Sequence, residues 1–258
     1  MAHLMNKLQT KFFLTKKKEK IRYQFNKGKN PLAVVFLHGL MSDLTGAKVK
    51  KIRQICKQSN ISFLAFEYTG HGKSSGTFTD FGITDWIIQS KEIIEKIIKT
   101  KKIIIIGSSM GSWIGSYLIK KVKKKIVGFI GIASAPDFTK EIMWKNFSGK
   151  VKKLIRSGQI YKMPSSYNNF YPITSKLIES GNQSLILNKK IQCNFPIRLF
   201  HGLKDKTVNE KFSIKLTKVL ISKDTQIFFQ NNGDHSLSTK QDLSLIATQL
   251  LRLFKNTL

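Results

Sequence analysis

The chain has 258 residues, 41% of them hydrophobic and 23% charged, with 45 Lys and Arg against 15 Asp and Glu for a formal net charge of +30. This length suits one domain of the larger α/β kind, and the composition excludes disordered, fibrous and disulfide-scaffold classes. The charge excludes less. Lysine is spread almost evenly and is accompanied by abundant Ile and Asn, the usage of an AT-rich genome, whereas a nucleic-acid surface clusters its charge and interleaves aromatics, so no specific nucleic-acid partner is expected.

Met1–Leu4 precede a second methionine, Met5, and read as an added segment before a native start. No apolar core with a small-residue cleavage site follows, and the apolar runs reach about half of the ~20 residues of a membrane span. A cytoplasmic location without a transmembrane segment is therefore expected. Residues 11–37 carry the alternating "KIRYQF" and then the near-continuous apolar "PLAVVFLHG", which predicts an antiparallel entry followed by a buried strand. In "AKVKKIRQICKQSN", Val49, Ile52 and Ile55 recur at helical spacing before a second buried run, "ISFLAFEY". Cys56 and Cys193 lie far apart without a C-x-x-C pair and read as reduced, partly buried thiols, leaving neither a zinc site nor a disulfide framework.

After the glycine-rich "TGHGKSSG", the segment "ITDWIIQSKEIIEKIIK" places Trp86, Ile87, Ile93, Ile94, Ile97 and Ile98 on one broad helical face. Four consecutive isoleucines in "KKIIIIGSSMG" predict the central strand, because a parallel strand covered on both faces does not alternate. "SWIGSYLIKKV" opens a helix, "IVGFIGIASAP", "FPIRLFHG" and "TQIFFQN" are further strands, and "LSLIATQLLRLF" closes the chain as a helix. Strands alternating with helices over 1–258 predict a single domain with a mostly parallel twisted sheet and helices on both faces. Residues 138–190 break the rhythm. They lack a buried strand run, look helical and irregular, and are expected to form a cap above one edge of the sheet.

Gly107-Ser108-Ser109-Met110-Gly111 forms G-x-S-x-G between the isoleucine strand and a helix. A nucleophile elbow needs this sharp turn, and glycines two positions to either side let the backbone close. Ser109 is thus the expected nucleophile. It needs an imidazole to accept its proton, and of the five histidines only His235, in "NGDHSLS", falls in a loop after the last predicted strand. Asp205, directly after the strand "IRLFHG", is the preferred acid. Asp137 in "SAPD" is the alternative, and Asp234 adjoins the histidine but would have to turn back onto its ring. An oxyanion hole is expected from the backbone N–H groups of Met110, after the nucleophile, and Leu40, in the loop after the first buried strand.

At these residues the sequence resembles the α/β-hydrolase superfamily across nearly its whole length. The stretches "FEYTGHGKSSG", "GSSMGSWIG", "GIASAPDF", "GQIYKMPSSY", "CNFPIRLFHGLKDKTV" and "GDHSLS" are similar to the small mitochondrial-type acyl-protein thioesterases, a family that also hydrolyses acyl glucuronides. The resemblance implies the α/β-hydrolase fold, a triad of Ser109, Asp205 and His235, and ester or thioester cleavage on small-molecule or acyl-protein substrates. The mitochondrial address is not expected here, since no clear transit segment is present. This chemistry requires neither metal nor organic cofactor. The apolar residues Ile142, Met143, Trp144 and Phe147 of the cap are candidates to line an acyl channel. A carbon–carbon bond hydrolase sharing this triad, and a basic binding protein with an idle site, are the competing readings.

Overall fold

Ile103, Ile104, Ile105 and Ile106 are all fully buried, and alternation explains it: Ile103 and Ile105 point into one apolar layer, Ile104 and Ile106 into the other. A strand covered on both faces has no solvent side, so no polar residue interrupts it. Burying each of these side chains contributes about 2 kcal/mol. A computed structural model describes residues 11–165 and 169–258; Met1–Leu4 and the proposed start at Met5 lie outside the described residues.

The strands in chain order are β1 (Lys11–Leu14), β2 (Lys20–Asn26), β3 (Leu32–Leu37), β4 (Ser62–Phe66), β5 (Lys102–Ser108), β6 (Lys125–Ile132), β7 (Tyr161–Pro164), β8 (Phe170–Ile173), β9 (Ile191–Gln192), β10 (Ile197–Gly202), β11 (Leu220–Ile221) and β12 (Thr225–Gln230). The helices are α1 (Ala47–Gln58), α2 (Ile83–Ile97), α3 (Met110–Leu118), α4 (Gly149–Arg156), α5 (Ser175–Gln183), α6 (Lys211–Val219) and α7 (Lys240–Lys255), with a 3₁₀ turn at Phe78–Asp80 and a π-helix at Thr139–Trp144. Eight strands form the main sheet in the order β1-β2-β4-β3-β5-β6-β10-β12. The pairs β1/β2 and β2/β4 are antiparallel and the others parallel, the mixed arrangement in which helical crossovers cover both faces. One layer packs α2, α3 and α6 against the sheet through Trp86, Trp113 and Leu216, with α5 laid against α2 and the π-helix, and the other packs α1 and α7 through Ile52 and Leu250. Cys56 and Cys193, expected to be partly buried, are 0% and 4% exposed, because both lie inside these layers.

Register sets where chemistry can occur. Leu37 of β3 pairs with Gly107 of β5, Ser108 of β5 with Ile132 of β6, and Ile132 of β6 with Phe200 of β10, so the carboxyl ends of the central strands form one level edge. Ligands of open α/β sheets bind along this edge. Between β6 and β10 the chain forms the π-helix, α4, the antiparallel hairpin β7/β8 and α5. The hairpin departs from the helical, irregular reading of this segment. Its strands carry Pro164 and Pro172 and sit half-exposed, so neither an apolar run nor a clean alternation marks them.

Candidate active site

Ser109 sits between the end of β5 and the start of α3, with φ 53° and ψ −116°. A non-glycine residue held at positive φ is strained, and the surrounding packing enforces it. A Cβ on Gly107 would lie 2.4 Å from the Gly111 carbonyl oxygen, and one on Gly111 would lie 2.1 Å from that of Leu37. Both are impossible approaches. The two flanking glycines of G-x-S-x-G are therefore required by backbone contact across the turn, which leaves the central hydroxyl projecting.

That hydroxyl meets His235. Ser109 Oγ lies 3.0 Å from His235 Nε2, and His235 Nδ1 lies 2.6 Å from Asp205 Oδ2. An ionised carboxylate can only accept, so Nδ1 carries the proton, and in the neutral ring Nε2 is left to accept from the serine. The turn after β12 is held by Asp234 Oδ1, which accepts from the N–H groups of Ser236 (2.9 Å) and Leu237 (3.1 Å). A capping box of Thr239 and Asp242 then starts α7. Asp234 is thus committed to its own turn. Lys48 in the first turn of α1 braces the same loop from the other side, its ammonium donating to the Ser236 carbonyl and to Ser238 Oγ (3.2 Å). Burial lowers the Lys48 pKa to about 8 despite the nearby Asp234 and Asp242.

Asp205 follows β10 and has a fully buried side chain. Burial favours its protonated form, but hydrogen bonds from His201 and His235 and from the Val208 N–H more than offset this, holding the carboxyl well below the ordinary carboxylate range. Its Oδ1 accepts from the Thr207 and Val208 N–H groups, each at 2.8 Å. His201 Nε2 lies 3.3 Å from Oδ2, with its own position fixed by the Val208 carbonyl (2.9 Å) and Ser213 Oγ (2.7 Å). The rival carboxylate, Asp137, is engaged elsewhere. It accepts from the N–H groups of Ile186 and Leu187, both at 2.9 Å, tying the end of β6 to the chain after α5.

The first loop of the sheet completes the surroundings. A Cβ on Gly39 would lie 3.4 Å from Ser109 Cβ, so the segment after β3 runs directly beside the serine. Neither the Leu40 nor the Met110 N–H takes part in the turn and loop hydrogen bonds formed among the described residues, and Met110, first residue of α3, has no intrahelical acceptor. Leu40 lines the same cavity as Ser109, and Met110 follows the serine directly in the chain.

A cavity of about 560 Å³ opens over the serine. Phe138, Ile142, Met143, Phe147, Met163 and Tyr171 are among its apolar lining residues, and Asp43, Lys48, Ser236 and Ser238 among its polar ones. Trp144, expected to line an acyl channel with its neighbours, is not among the cavity residues. It is half-buried, packs edge-on against Phe147, and takes the Arg156 guanidinium over its ring at 5.3 Å. Sequence reasoning also passed over His38, Lys48 and His201. Nothing local in the sequence marks His201, whose partners arrive from residues 205–213.

Residues 28–169 match a hydrolase family described as serine aminopeptidase, S33. The protein named "Palmitoyl-protein thioesterase ABHD10, mitochondrial" of Rattus norvegicus is 28% identical over 88% of this chain and 76% of its own length. Its namesake of Homo sapiens is 28% identical over 88% of this chain and 74% of its own. Among solved structures, "Alpha/beta hydrolase domain-containing protein 10 from mouse" superposes with a TM-score of 0.87 at 25% identity, covering 96% of this chain and 98% of that one. A putative hydrolase from Agrobacterium vitis S4 does so with a TM-score of 0.90 at 24% identity, covering 95% and 98%. Similarity to the family over more than half of its length, together with a mostly parallel sheet shared with these structures, leads to one conclusion: the chain belongs to the serine aminopeptidase S33 family and is a serine hydrolase of the α/β-hydrolase fold.

Proposed function

We propose that this enzyme cleaves ester or thioester bonds of acyl substrates through Ser109, His235 and Asp205. The single observation that carries the reading is the continuous relay from Ser109 Oγ through both nitrogens of His235 to Asp205, opening on a cavity with many apolar lining residues. Ser109 Oγ attacks the acyl carbonyl as His235 Nε2 takes its proton, and Asp205 stabilises the imidazolium that forms. The Leu40 and Met110 N–H groups receive the negative charge developing on the carbonyl oxygen. Collapse returns the proton to the departing thiol or alcohol, leaving an acyl-serine. His235 then takes a proton from water, whose oxygen attacks that ester, and a second collapse releases the acid and restores Ser109.

The apolar lining residues Phe138, Ile142, Met143 and Phe147 suit a hydrocarbon chain, and on this reading they form, with Met163 and Tyr171 of the hairpin β7/β8, the cap over the nucleophile. The relatives named as palmitoyl-protein thioesterases favour a long acyl group on a thiol. A chain-length series of p-nitrophenyl esters and acyl thioesters tests this. Thioester turnover that rises with acyl length is expected; turnover confined to acetyl esters would overturn the acyl-chain assignment.

A further inference from the structure

The side chain of His38, directly after β3, has one hydrogen bond among the described residues: its Nδ1 lies 2.8 Å from the carbonyl oxygen of Gly39. Its Nε2 is buried and has no hydrogen-bond partner among the described residues. A carbonyl only accepts, so Nδ1 is the donor. The ring is 1% exposed, packs against Tyr68 and His71 at centroid distances of 4.4 and 5.2 Å, and lines the cavity beside Ser109. Burial lowers its pKa from 6.5 to about 4, so at neutral pH the ring is uncharged and its single proton sits on Nδ1.

The carbonyl it holds belongs to the same peptide unit as the Leu40 N–H. A trans peptide is planar, with its N–H and C=O pointing in opposite directions, so fixing the oxygen of Gly39 fixes where the nitrogen of Leu40 aims. Gly39 alone would not do so, being free of a side chain and free to rotate. Among the described residues its carbonyl otherwise accepts only the longer turn bond from Ser42 N–H, at 3.3 Å. We infer that His38 is a positioning residue that locks the Gly39–Leu40 peptide so that the Leu40 N–H faces the oxyanion formed at Ser109. This rests on the triad reading above.

The distinction from a space-filling role lies in which nitrogen matters. In His38→Asn the amide nitrogen falls near the position of Nδ1 and can still donate to Gly39, whereas in His38→Gln the longer side chain carries its amide to the position of Nε2. Turnover of p-nitrophenyl butyrate is expected to fall about 30-fold or more in kcat for His38→Gln with KM within about two-fold, and to stay within about five-fold for His38→Asn. Equal kcat in the Gln variant and wild type, or equal losses in both folded variants, would overturn the role. Should neither variant fold, ¹⁵N NMR of wild-type His38 decides: an Nδ1–H tautomer from pH 6 to 8 is expected, and an Nε2–H tautomer refutes the lock. Fluorophosphonate labelling run in parallel separates the two readings. Label on Ser109 together with unimpaired His38→Gln turnover removes only the His38 role, while a wild-type protein that takes no label removes the triad and this proposal with it.

Discussion

Replacing Asp205 by Asn keeps shape but reverses a hydrogen bond. The side chain has two faces: Oδ1 accepts from the Thr207 and Val208 N–H groups, and Oδ2 faces His235 Nδ1 at 2.6 Å and His201 Nε2 at 3.3 Å. With two backbone donors on one side, the asparagine oxygen takes that side and its NH₂ is turned toward His235. A donor then confronts a donor, so the neutral imidazole moves its proton to Nε2, where it can no longer accept from Ser109. Loss of the correct tautomer lowers kcat on the order of 10⁴-fold, equivalent to about 5 kcal/mol of barrier. The matched control is Asp137→Asn, which weakens one of two backbone bonds, each 2.9 Å long, and should cost about 1–2 kcal/mol of stability with kcat within about three-fold. Steady-state hydrolysis of a p-nitrophenyl ester at pH 8, with urea melts of each variant, makes the comparison. An Asp205→Asn enzyme that is folded and retains more than about a tenth of wild-type kcat would refute the reasoning.

Gly111→Ala drives a methyl group into the Leu37 carbonyl, 2.1 Å away, and should destabilise the protein by about 3 kcal/mol or more by urea denaturation; an unchanged midpoint contradicts the close approach of α3 to β3. Acid stability follows from two buried imidazoles, since burial lowers the pKa of His38 to about 4 and that of His71 to about 3 from 6.5. Between pH 6.5 and 4 the unfolded chain binds protons that the native state does not, so stability is lost as pH falls through this window, on the order of 5 kcal/mol from pH 7 to 4.5. Urea melts at the two pH values check this, and a flat profile would show that both rings titrate freely. Met143→Trp adds bulk to the apolar lining of the cavity and should cut kcat/KM for acyl chains beyond about eight carbons roughly ten-fold while sparing acetyl esters; a uniform loss across the series would place the acyl chain elsewhere.

What could be read from the sequence was local or one-dimensional. The Ile103–Ile106 run announces a doubly covered strand because it is short, wholly β-branched and bounded by Lys and Gly, whereas a strand with one wet face would alternate. The glycines around Ser109 announce a tight turn because their neighbours in space are also close along the chain, Gly107 lying against Gly111. The order of Asp205 and His235 after strands marks them in the sequence, and the structure brings His235 to Ser109 and Asp205 to His235. The roles of His201 and Lys48 depended on partners that no local pattern encodes: Ser213 and Val208 for one, the loop after β12 for the other, which lies 188 residues away from Lys48. Trp144 looked equivalent to Met143 in an apolar stretch, but on a π-helix adjacent side chains face different ways, and Trp144 turned to the basic residues of α4. The hairpin β7/β8 escaped notice because half-exposed strands carrying prolines lack the periodicity by which strands are recognised.

The central claim is that Ser109 is a nucleophile activated by His235. Intact protein treated with a fluorophosphonate probe and digested for peptide mass spectrometry tests it most directly, with Ser109→Ala and His235→Ala alongside. The account predicts one adduct, on Ser109, absent in the first variant and formed at least about a hundred-fold more slowly in the second. An adduct on Ser108 or another residue, or equal labelling of Ser109 without His235, would contradict it.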